Sequence, residues 1–285
     1  MEIDIQTRLI TLIGTPLEQS FAARMQNAAY RAANINMAYF YTETDATHLG
    51  DIVNGIRYMP SFRGFAVTKP NKVAVLPYLD ELDPFCRKIG ACNTVVKTDD
   101  GRLVGYNTDG HGFLISLQQE GGATIRDGRF FCIGAGGAGR SIASVLAYRG
   151  AGKLYITDAF EENAHALVDD VNRQFAPVAE FVPYGEYGAV RDCDVVINAS
   201  GIGMGRTRGR NPLPKQYILP DRLYFDACYN PLKTQFLLDA EEKGARILNG
   251  LGMSLYQGAV QIELWTGKPA PIEAMRAELM ALIQG

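Results

Sequence analysis

The chain has 285 residues, of which 47% are hydrophobic and 21% are charged, and its formal net charge is −3. This composition is typical of a globular protein and argues against a disordered or collagen-like chain, while the length predicts two domains or one large α/β unit. No long basic run occurs, which argues against nucleic-acid binding. No apolar stretch approaches the roughly 18 residues that span a bilayer, and the amino-terminal residues carry no apolar signal core. We therefore expect a cytoplasmic protein that binds neither nucleic acid nor membrane.

The cysteine and histidine contents limit the kinds of site that the chain can carry. The five cysteines include no CxxC pair, and their odd number argues against a complete disulfide framework. The three histidines include no HxxxH spacing. We therefore expect reduced thiols and no zinc site.

The first hundred residues alternate between patterns that are typical of strands and of helices. The strand-like runs lie at 8–13, 38–42 and 64–68, and the helix-like runs lie at 20–33 and 46–58. Pro70 suits the first turn of a further helix, and Asp99-Asp100-Gly101 separates two β-prone runs as a hairpin turn does. This alternation predicts a mostly parallel sheet that is covered by helices.

The remainder of the chain repeats this βα rhythm. Strands are expected at 129–133, 154–157, 194–198 and 223–225, and helices at 109–119, 141–148, 161–174, 253–265 and 271–283. Apolar strands that alternate with helices favour a second α/β layer structure. The sequence contains no internal repeat.

A glycine-rich segment follows the strand-like run 129–133 and precedes an alanine-rich helix. Gly134-Ala135-Gly136-Gly137-Ala138-Gly139 fits the pattern G-x-G-x-x-G. In this pattern the first glycine permits a tight turn, the second lets a pyrophosphate approach the backbone, and the third allows close packing of helix on strand. The free N–H groups and the dipole at the helix start favour phosphate. The segment therefore predicts a Rossmann-type, doubly wound dinucleotide-binding domain.

An acidic residue at the end of the next strand bears on cofactor choice. Asp158 follows Gly139 by 19 residues, which is where a carboxylate accepts hydrogen bonds from the adenosine ribose and repels a 2′-phosphate. No arginine follows at Ala159 or Phe160. We therefore expect NAD rather than NADP. Two alternatives stay open: Asp158 caps the next helix, or Arg140 reaches a 2′-phosphate from the loop side.

Two polar segments follow strand-like runs in the first half of the chain, and each carries one residue that is suited to proton transfer. Lys72 ends the segment 67–72, and Asp109 lies in the segment 105–110. A lysine near a carboxylate at strand ends is able to exchange a proton with a substrate hydroxyl. From spacing alone, a surface lysine and a helix-capping aspartate are the commoner explanation.

Several motifs, taken in order, resemble the shikimate/quinate dehydrogenase family over nearly the full length of the chain. They are Val67-Thr68 with Pro70 and Lys72, Gly90-Ala91-Cys92-Asn93-Thr94, Asn107-Thr108-Asp109-Gly110, the glycine loop, Asn198-Ala199-Ser200-Gly201-Ile202-Gly203-Met204, the segment 226–234, and Gly250-Leu251-Gly252-Met253 with Gln257. The resemblance implies a nicotinamide-dependent oxidoreductase that interconverts a ring hydroxyl and a ketone, as in shikimate and 3-dehydroshikimate. A role in aromatic amino-acid synthesis is implied by the resemblance alone.

The family resemblance implies a fold and a set of site residues. It implies an α/β substrate domain at 1–107, a Rossmann domain at 108–250, and a helical segment at 251–285 that packs back on the first domain. Lys72 matches the catalytic lysine, and Asp109 matches its acidic partner. The implied substrate-binding residues are Ser20, Thr68, Asn93, Tyr229 and Gln257. The implied cofactor-binding residues are Gly134, Gly136, Gly137, Ala138, Gly139, Asp158, Gly203, Met204 and Gly250.

The chain departs from the family pattern at two substrate contacts. The family's S-x-S-P, whose serines bind the substrate carboxylate, reads Ser20-Phe21-Ala22-Ala23, so one serine is absent. The family's Asn-Val-Thr reads Ala66-Val67-Thr68, which loses a polar substrate contact. Each lost hydrogen bond to a charged group costs about 1.5–3 kcal/mol. Lys69 stands where an apolar residue is usual, and it is either a relocated carboxylate anchor or a solvent-facing lysine. A small Ala22 leaves room for the extra hydroxyl of quinate.

At the nucleotide end, Asp158-Ala159-Phe160 stands where typical biosynthetic members carry an Asn-Arg-Thr signature for the NADP phosphate. We therefore expect an NAD-preferring dehydrogenase of shikimate, quinate or a related alicyclic hydroxy acid, present as a monomer or a homodimer. Two alternatives remain. One is a non-catalytic dinucleotide-binding or sensor protein, and the other is a dehydrogenase of a different cyclic substrate on the same two-domain plan.

Overall fold

The computed structural model describes residues 3–18 and 20–284. The predicted segments 1–107 and 251–285 include residues 1, 2, 19 and 285, which lie outside the described residues. The chain divides into two compact units. The first unit comprises Met1–Thr108 and Gln257–Gly285, and the second unit comprises Asp109–Tyr256.

The first unit is built on a mixed six-stranded sheet. Its strands are β1 (Arg8–Gly14), β2 (Met37–Glu43), β3 (Phe62–Val67), β4 (Glu81–Leu82), β5 (Thr94–Lys97) and β6 (Leu103–Tyr106), in the order β2-β1-β3-β5-β6-β4. Its amino-terminal helices are α1 (Ala22–Ala32), α2 (Leu49–Tyr58), α3 (Asn71–Ala74) and α4 (Pro84–Ile89). The pairs β1–β2, β1–β3 and β4–β6 are parallel, whereas the predicted hairpin β5–β6 and the pair β3–β5 are antiparallel. The carboxyl ends of β1 and β3 therefore meet at one edge of the sheet.

The carboxyl-terminal helices complete this unit. They are α9 (Leu251–Thr266), of which the part from Gln257 belongs to the first unit, and α10 (Ile272–Gln284). Trp265 of α9 is 2% exposed, and its Nε1 donates to the carbonyl of Val95 on β5 at 3.0 Å. Arg24 of α1 pairs with Glu278 of α10 at 2.8 Å. The described residues from Gln257 onward therefore pack in the first unit.

The second unit has the doubly wound arrangement. Its strands are β7 (Arg129–Ile133), β8 (Lys153–Thr157), β9 (Ala179–Phe181), β10 (Val195–Asn198), β11 (Leu223–Asp226) and β12 (Arg246–Asn249). Its helices are α5 (Thr108–Gln119), α6 (Gly137–Tyr148), α7 (Glu161–Gln174) and α8 (Gln235–Glu242). The helix α5 belongs to this unit from Asp109 onward. All pairs are parallel, in the order β12-β11-β10-β7-β8-β9. The strand order reverses beside β7, which is where such sheets bind nucleotides. The predicted fold class is confirmed.

Most predicted elements recur with small shifts, and the differences have local causes. The run after Pro70 forms only the four-residue helix α3, because Pro77 lies close behind and cannot continue helical hydrogen bonding. The helix α6 begins at Gly137 rather than at Ser141, because the glycine loop itself winds into the first turn. The elements α4, α8, β9 and β12 are too short to show a clear apolar period.

None of the helices in the described part of the chain has the length and apolar character that crossing a membrane requires. The five cysteines are buried and unpaired.

Candidate active site

Two glycines of the loop after β7 permit close backbone packing. Gly134 has φ +109°, and a Cβ built on it would lie 2.5 Å from the amide nitrogen of Ser200, just beyond β10. A Cβ on Gly139 would lie 1.9 Å from the carbonyl oxygen of Gly134. Both positions therefore exclude any side chain, because the atoms that they would meet belong to the backbone.

Gly136 and Gly137 of the same loop face open space instead. Both are exposed, and a Cβ on either would meet nothing within 4 Å. Gly136 is the N-cap of α6, which has 12 residues and begins at Gly137. The free N–H groups and the positive end of the helix dipole meet at this point. The loop thus has the open approach and the donors that the pyrophosphate of a dinucleotide requires.

Asp158, at the end of β8, is tied to this loop. Its Oδ2 accepts a hydrogen bond from the amide of Ala135 at 2.6 Å, and its Oδ1 accepts one from the amide of Phe160 at 2.9 Å. Phe160 is the N-cap of α7, so the carboxylate links the glycine loop to the start of the next helix. The helix α7 has no side-chain cap among the described residues, so Asp158 does not cap it in the way that the sequence left open, and the carboxylate stays beside the loop.

Arg140, the other residue that bears on cofactor choice, has an acidic partner. Its Nη1 lies 2.7 Å from Oδ2 of Asp170 on α7, and Arg173 also pairs with Asp170. The side chains of Arg140 and Asp170 are each about one-third exposed. An arginine held in this way is less available to a 2′-phosphate than an unpaired one.

A buried polar cluster supports the segment that follows β10. Asn198 donates from Nδ2 to the carbonyl of Ile202 at 2.9 Å and to Oδ1 of Asp226 at 3.1 Å. Its Oδ1 accepts from the hydroxyl of Ser200 at 2.6 Å. Asp226, at the end of β11, also accepts from the hydroxyl of Thr234. The cluster holds the turn in which Gly203 and the 37% exposed Met204 lie.

Asp226 is fully buried, and burial raises the pKa of its carboxyl. Hydrogen bonds from Thr234, from the amide of Cys228 and from Asn198 oppose this rise, because they stabilise the ionised form. Sequence reasoning assigned no role to Asp226 or Thr234, although both lie in the matched segment 226–234. An aspartate that ends a wholly apolar strand is the signal that would have singled out Asp226.

The first unit brings two predicted substrate-binding residues into one hydrogen-bond network. Asn93 donates from Nδ2 to the hydroxyl of Thr108 at 3.0 Å, and its Oδ1 accepts from the amide of Thr108 at 2.7 Å. The Thr108 hydroxyl lies 3.4 Å from Oε1 of Gln257. Asn93 and Thr108 are both buried. The network therefore fixes Asn93 and Gln257 through a residue that sequence reasoning did not assign.

The network extends into the carboxyl-terminal helices. The hydroxyl of Thr94 donates to Oδ1 of Asn93 at 2.9 Å and accepts from Nε2 of Gln261 at 2.9 Å. Oε1 of Gln261 accepts from Nε2 of Gln26 on α1 at 3.0 Å. All four side chains are at most 3% exposed. Polar side chains at helical spacing on the otherwise apolar α9 are the sequence signal for Gln261.

Lys72 and its neighbours lie at the edge where β1 and β3 end. The carbonyl of Lys72 accepts from the amide of Cys92 at 2.8 Å, which ties its helix to the residue before Asn93. Thr68 donates from its amide to the carbonyl of Ile13 at 2.9 Å. Lys69 is exposed, and no ion pair joins it to a carboxylate in the part of the chain that the structure describes.

Ser20 lies just before α1, where its hydroxyl accepts from the amide of Ala22 at 3.3 Å and its carbonyl accepts from the hydroxyl of Tyr41 at 2.6 Å. Ala22 therefore occupies the first position of the helix, and Ala66 is 2% exposed on β3. The substitutions at these two positions leave methyl groups where the family pattern has hydrogen-bonding side chains.

The remaining predicted residues belong to the second unit. Asp109 is its first residue and directly follows Thr108. Tyr229 is half-buried just after β11. Gly250 packs against the backbone of Ala227, whose carbonyl oxygen would lie 2.1 Å from an added Cβ. Because Lys72 and Asp109 belong to different units, their pairing stays a prediction.

Comparison with known proteins agrees with this architecture. A family model described as the shikimate dehydrogenase substrate binding domain matches residues 12–95. A second model, described as the shikimate 5′-dehydrogenase C-terminal domain, matches residues 250–280. The NADP(+)-dependent shikimate dehydrogenase of Moorella thermoacetica is 38% identical over 278 residues, which are 96% of this chain and 93% of that protein.

Two solved structures are similar to this chain over nearly its full length. Shikimate 5-dehydrogenase of Listeria monocytogenes, in complex with shikimate and NAD, is 35% identical with a TM-score of 0.92, and the match covers 98% of each chain. The ligand-free 5-ketofructose reductase of Gluconobacter sp. strain CHM43 is 31% identical with a TM-score of 0.90, and the match covers 98% of this chain and 100% of that chain. The chain therefore belongs to the shikimate dehydrogenase family of dinucleotide-dependent oxidoreductases.

Proposed function

We propose that this protein interconverts a ring hydroxyl and a ring ketone of shikimate, quinate or a related alicyclic hydroxy acid. In this proposal Lys72 and Asp109 form the proton-transfer dyad and NAD is the preferred cofactor. The observation that carries it is a pair of hydrogen bonds: the amide of Cys92, next to Asn93, donates to the carbonyl of Lys72 at 2.8 Å, and the amide of Thr108 donates to Oδ1 of Asn93 at 2.7 Å. These bonds hold Lys72, Asn93 and Thr108, the residue before Asp109, in fixed positions relative to one another. Proton transfer requires such a defined geometry.

The residues of the second unit fit the cofactor. The open positions at Gly136 and Gly137 and the start of α6 would hold the pyrophosphate, and Asp158 would accept the ribose hydroxyls. When bound, the nicotinamide supplies or accepts the hydride. The turn that carries Gly203 and Met204 would lie beside the nicotinamide, and the buried Asp226 would keep that turn in place.

Proton transfer would be the task of Lys72. During reduction its ammonium would donate a proton to the substrate carbonyl oxygen, and during oxidation the amine would take the proton from the hydroxyl. Asp109 would hold the lysine in place and stabilise its charged form. Asn93, whose side chain is already oriented by Thr108 and Thr94, would bind a ring hydroxyl without a large loss of side-chain entropy.

Substrate binding would combine retained and relocated contacts. Ser20, Thr68, Tyr229 and Gln257 would contact the substrate. An exposed Lys69 without an ion pair in the described part of the chain suits a carboxylate anchor that replaces the missing serine. The predicted division into a substrate domain, a dinucleotide domain and a returning helical segment is part of this proposal, as is a monomer or homodimer.

A preference for NAD is supported by charge. The Asp158 carboxylate would repel a 2′-phosphate, and neither Ala159 nor Phe160 supplies a cation. Arg140 already pairs with Asp170. The relative from Moorella thermoacetica is named as NADP(+)-dependent, whereas the Listeria monocytogenes enzyme was solved with NAD.

A substrate screen tests the proposed function. Purified protein is assayed for oxidation of shikimate and quinate with NAD and with NADP, and for reduction of the corresponding ketones. We expect turnover with at least one of these acids and a higher kcat/KM with NAD. Tight NAD binding without turnover of any cyclic hydroxy acid would instead identify a non-catalytic sensor.

A neutral keto sugar is a second candidate substrate, favoured by one observation. Ala22 removes a hydroxyl that binds the substrate carboxylate in the family pattern, and Ala66 removes a further polar substrate contact. The 5-ketofructose reductase of Gluconobacter has the same fold over its whole chain. Including 5-ketofructose and NADPH in the screen separates the two candidates. Reduction of the keto sugar without activity on the acids would favour this second function.

The glycine loop offers a prediction that separates binding from folding. Gly136→Val is expected to leave the thermal unfolding temperature unchanged and to weaken NAD binding at least about tenfold, because its side chain fills the space for the pyrophosphate. Gly139→Val is expected to destabilise the fold by about 3 kcal/mol or more, because its Cβ meets the Gly134 carbonyl. Calorimetry and titration with NAD measure both effects. Normal NAD affinity in folded Gly136→Val would contradict the proposed phosphate position.

A further inference from the structure

The first unit contains a cavity at one end of its sheet, where β1 and β3 begin. Its volume is about 670 Å³, and its lining includes the basic residues Arg8, Arg57, Arg63, Lys97 and Arg102. Two carboxylates, Asp99 and Asp100, are the acidic lining residues. The lining therefore carries three more positive charges than negative ones. The proposed catalytic chemistry uses none of these residues.

Neighbouring carboxylates compensate three of the five cations. Arg63 pairs with Asp99 at 2.5 Å and Arg102 with Asp100 at 3.0 Å, both in the exposed hairpin turn that joins β5 to β6. Arg57 pairs with Asp80, also at 2.5 Å. In the part of the chain that the structure describes, no carboxylate pairs with Arg8 or with Lys97. Arg8 and Lys97 are therefore the two cations of the cavity wall that have no carboxylate partner among the described residues.

Lys97 is the more informative of these two residues. It is only 8% exposed, and its ammonium donates to the carbonyls of Ile56 and Met59 at 3.0 and 2.8 Å. An ammonium has three N–H groups, so one of them has no acceptor among the described residues. Burying a cation without a counter-ion is unfavourable, and burial together with nearby Arg57 lowers the pKa of Lys97. A bound anion would remove this cost.

Apolar surfaces complete the cavity wall and indicate the body of the ligand. Tyr58 is 81% exposed at the end of α2, and Pro60 and the partly buried Phe62 follow it. A large aromatic side chain that is exposed beside arginines is suited to contact with a ring. We propose that this cavity binds a small dianionic oxyanion attached to a ring, with Arg8 and Lys97 holding the charged group and Tyr58 and Phe62 contacting the ring.

The position of the cavity predicts how its ligand relates to the substrate. Phe62 is the first residue of β3 and Thr68 follows its last, so at about 3.3 Å per residue these two residues are about 20 Å apart. The ligand is therefore expected to bind together with the substrate rather than to compete with it. The anion site itself goes beyond the proposed function, and only its relation to the substrate rests on the proposed role of Thr68.

Titration of the full-length protein with phenyl phosphate tests the proposal. At constant ionic strength, backbone amide NMR signals of residues 57–59, 61–63 and 97–102 are expected to shift in a saturable way. Arg8→Gln and Lys97→Met are each expected to weaken binding about tenfold, the loss expected for one charge-assisted hydrogen bond. Arg126→Gln, which removes an exposed arginine from the second unit, is the matched control and is expected to leave binding unchanged.

Other probes identify the recognised group. Phenol is expected not to bind, and phthalate distinguishes a carboxylated source of the dianion from a phosphorylated one, since both fit the charge. Arg8 is exposed, so Arg8→Gln keeps the test valid if Lys97→Met does not fold. The proposal is overturned by the absence of saturable shifts, by phenol binding as tightly as phenyl phosphate, or by Arg8→Gln having no larger effect than Arg126→Gln.

Discussion

Lys72→Met is expected to lower kcat for oxidation of the hydroxy acid by about 10²–10⁴-fold, the usual contribution of a positioned acid or base. Methionine keeps the length and packing of the lysine stem but carries no exchangeable proton. Binding of NAD is expected to be unchanged, because the residues that would hold it belong to the second unit. Steady-state kinetics with the best substrate from the screen, together with NAD titration, measure both quantities.

Two variants in the same unit serve as comparisons for Lys72→Met. Lys88→Met changes an exposed lysine of α4 and is expected to leave kcat and KM unchanged. Lys69→Met is expected to raise KM for a carboxylated substrate about tenfold or more, with little change in kcat, because it removes one charge-assisted contact. Full turnover by Lys72→Met would rule out the proposed dyad, and an unchanged KM in Lys69→Met would return Lys69 to the solvent-facing interpretation.

Asp158→Asn combined with Ala159→Arg is expected to reverse the preference for NAD over NADP. The double variant removes a negative charge and adds a positive one beside the site of the 2′-phosphate. At a few ångströms and a nearly water-like dielectric constant, each change is worth about 1–2 kcal/mol, which corresponds to roughly 5–30-fold per change in kcat/KM for NADP. An asparagine still offers an acceptor to the amide of Ala135, so the loop is expected to keep its conformation. Comparison of kcat/KM with the two cofactors measures the change.

The ion pair of Arg140 permits a further variant in the same experiment. Asp170→Asn removes the carboxylate that holds Arg140 and is expected to lower KM for NADP severalfold, by about 1 kcal/mol, without changing KM for NAD. Asp169→Asn, its exposed neighbour on α7, is the matched control. A wild-type protein that prefers NADP would show that the Asp158 carboxylate does not exclude the 2′-phosphate.

Elements with a clear local pattern were predictable from the sequence. The apolar run Arg129–Ile133 and the helix Glu161–Gln174 have the predicted bounds, because hydrophobic periodicity and turn residues are local properties. The roles of Gly134 and Gly139 also follow from the motif, since their close backbone contacts are those that the pattern requires. Short elements such as β9 were missed because three residues show no period.

By itself, the sequence determined the α/β class, the glycine loop and its dinucleotide, and the family, because each rests on residues that are neighbours along the chain or follow a fixed order. The tertiary structure alone decided which distant polar groups meet. It joined Asn93 to Thr108 and Gln257, paired Arg140 with Asp170, and gathered Arg8 and Lys97 around one cavity. Hydrogen bonds and ion pairs depend on distances between atoms, and strand order and packing set those distances without leaving a period in the sequence.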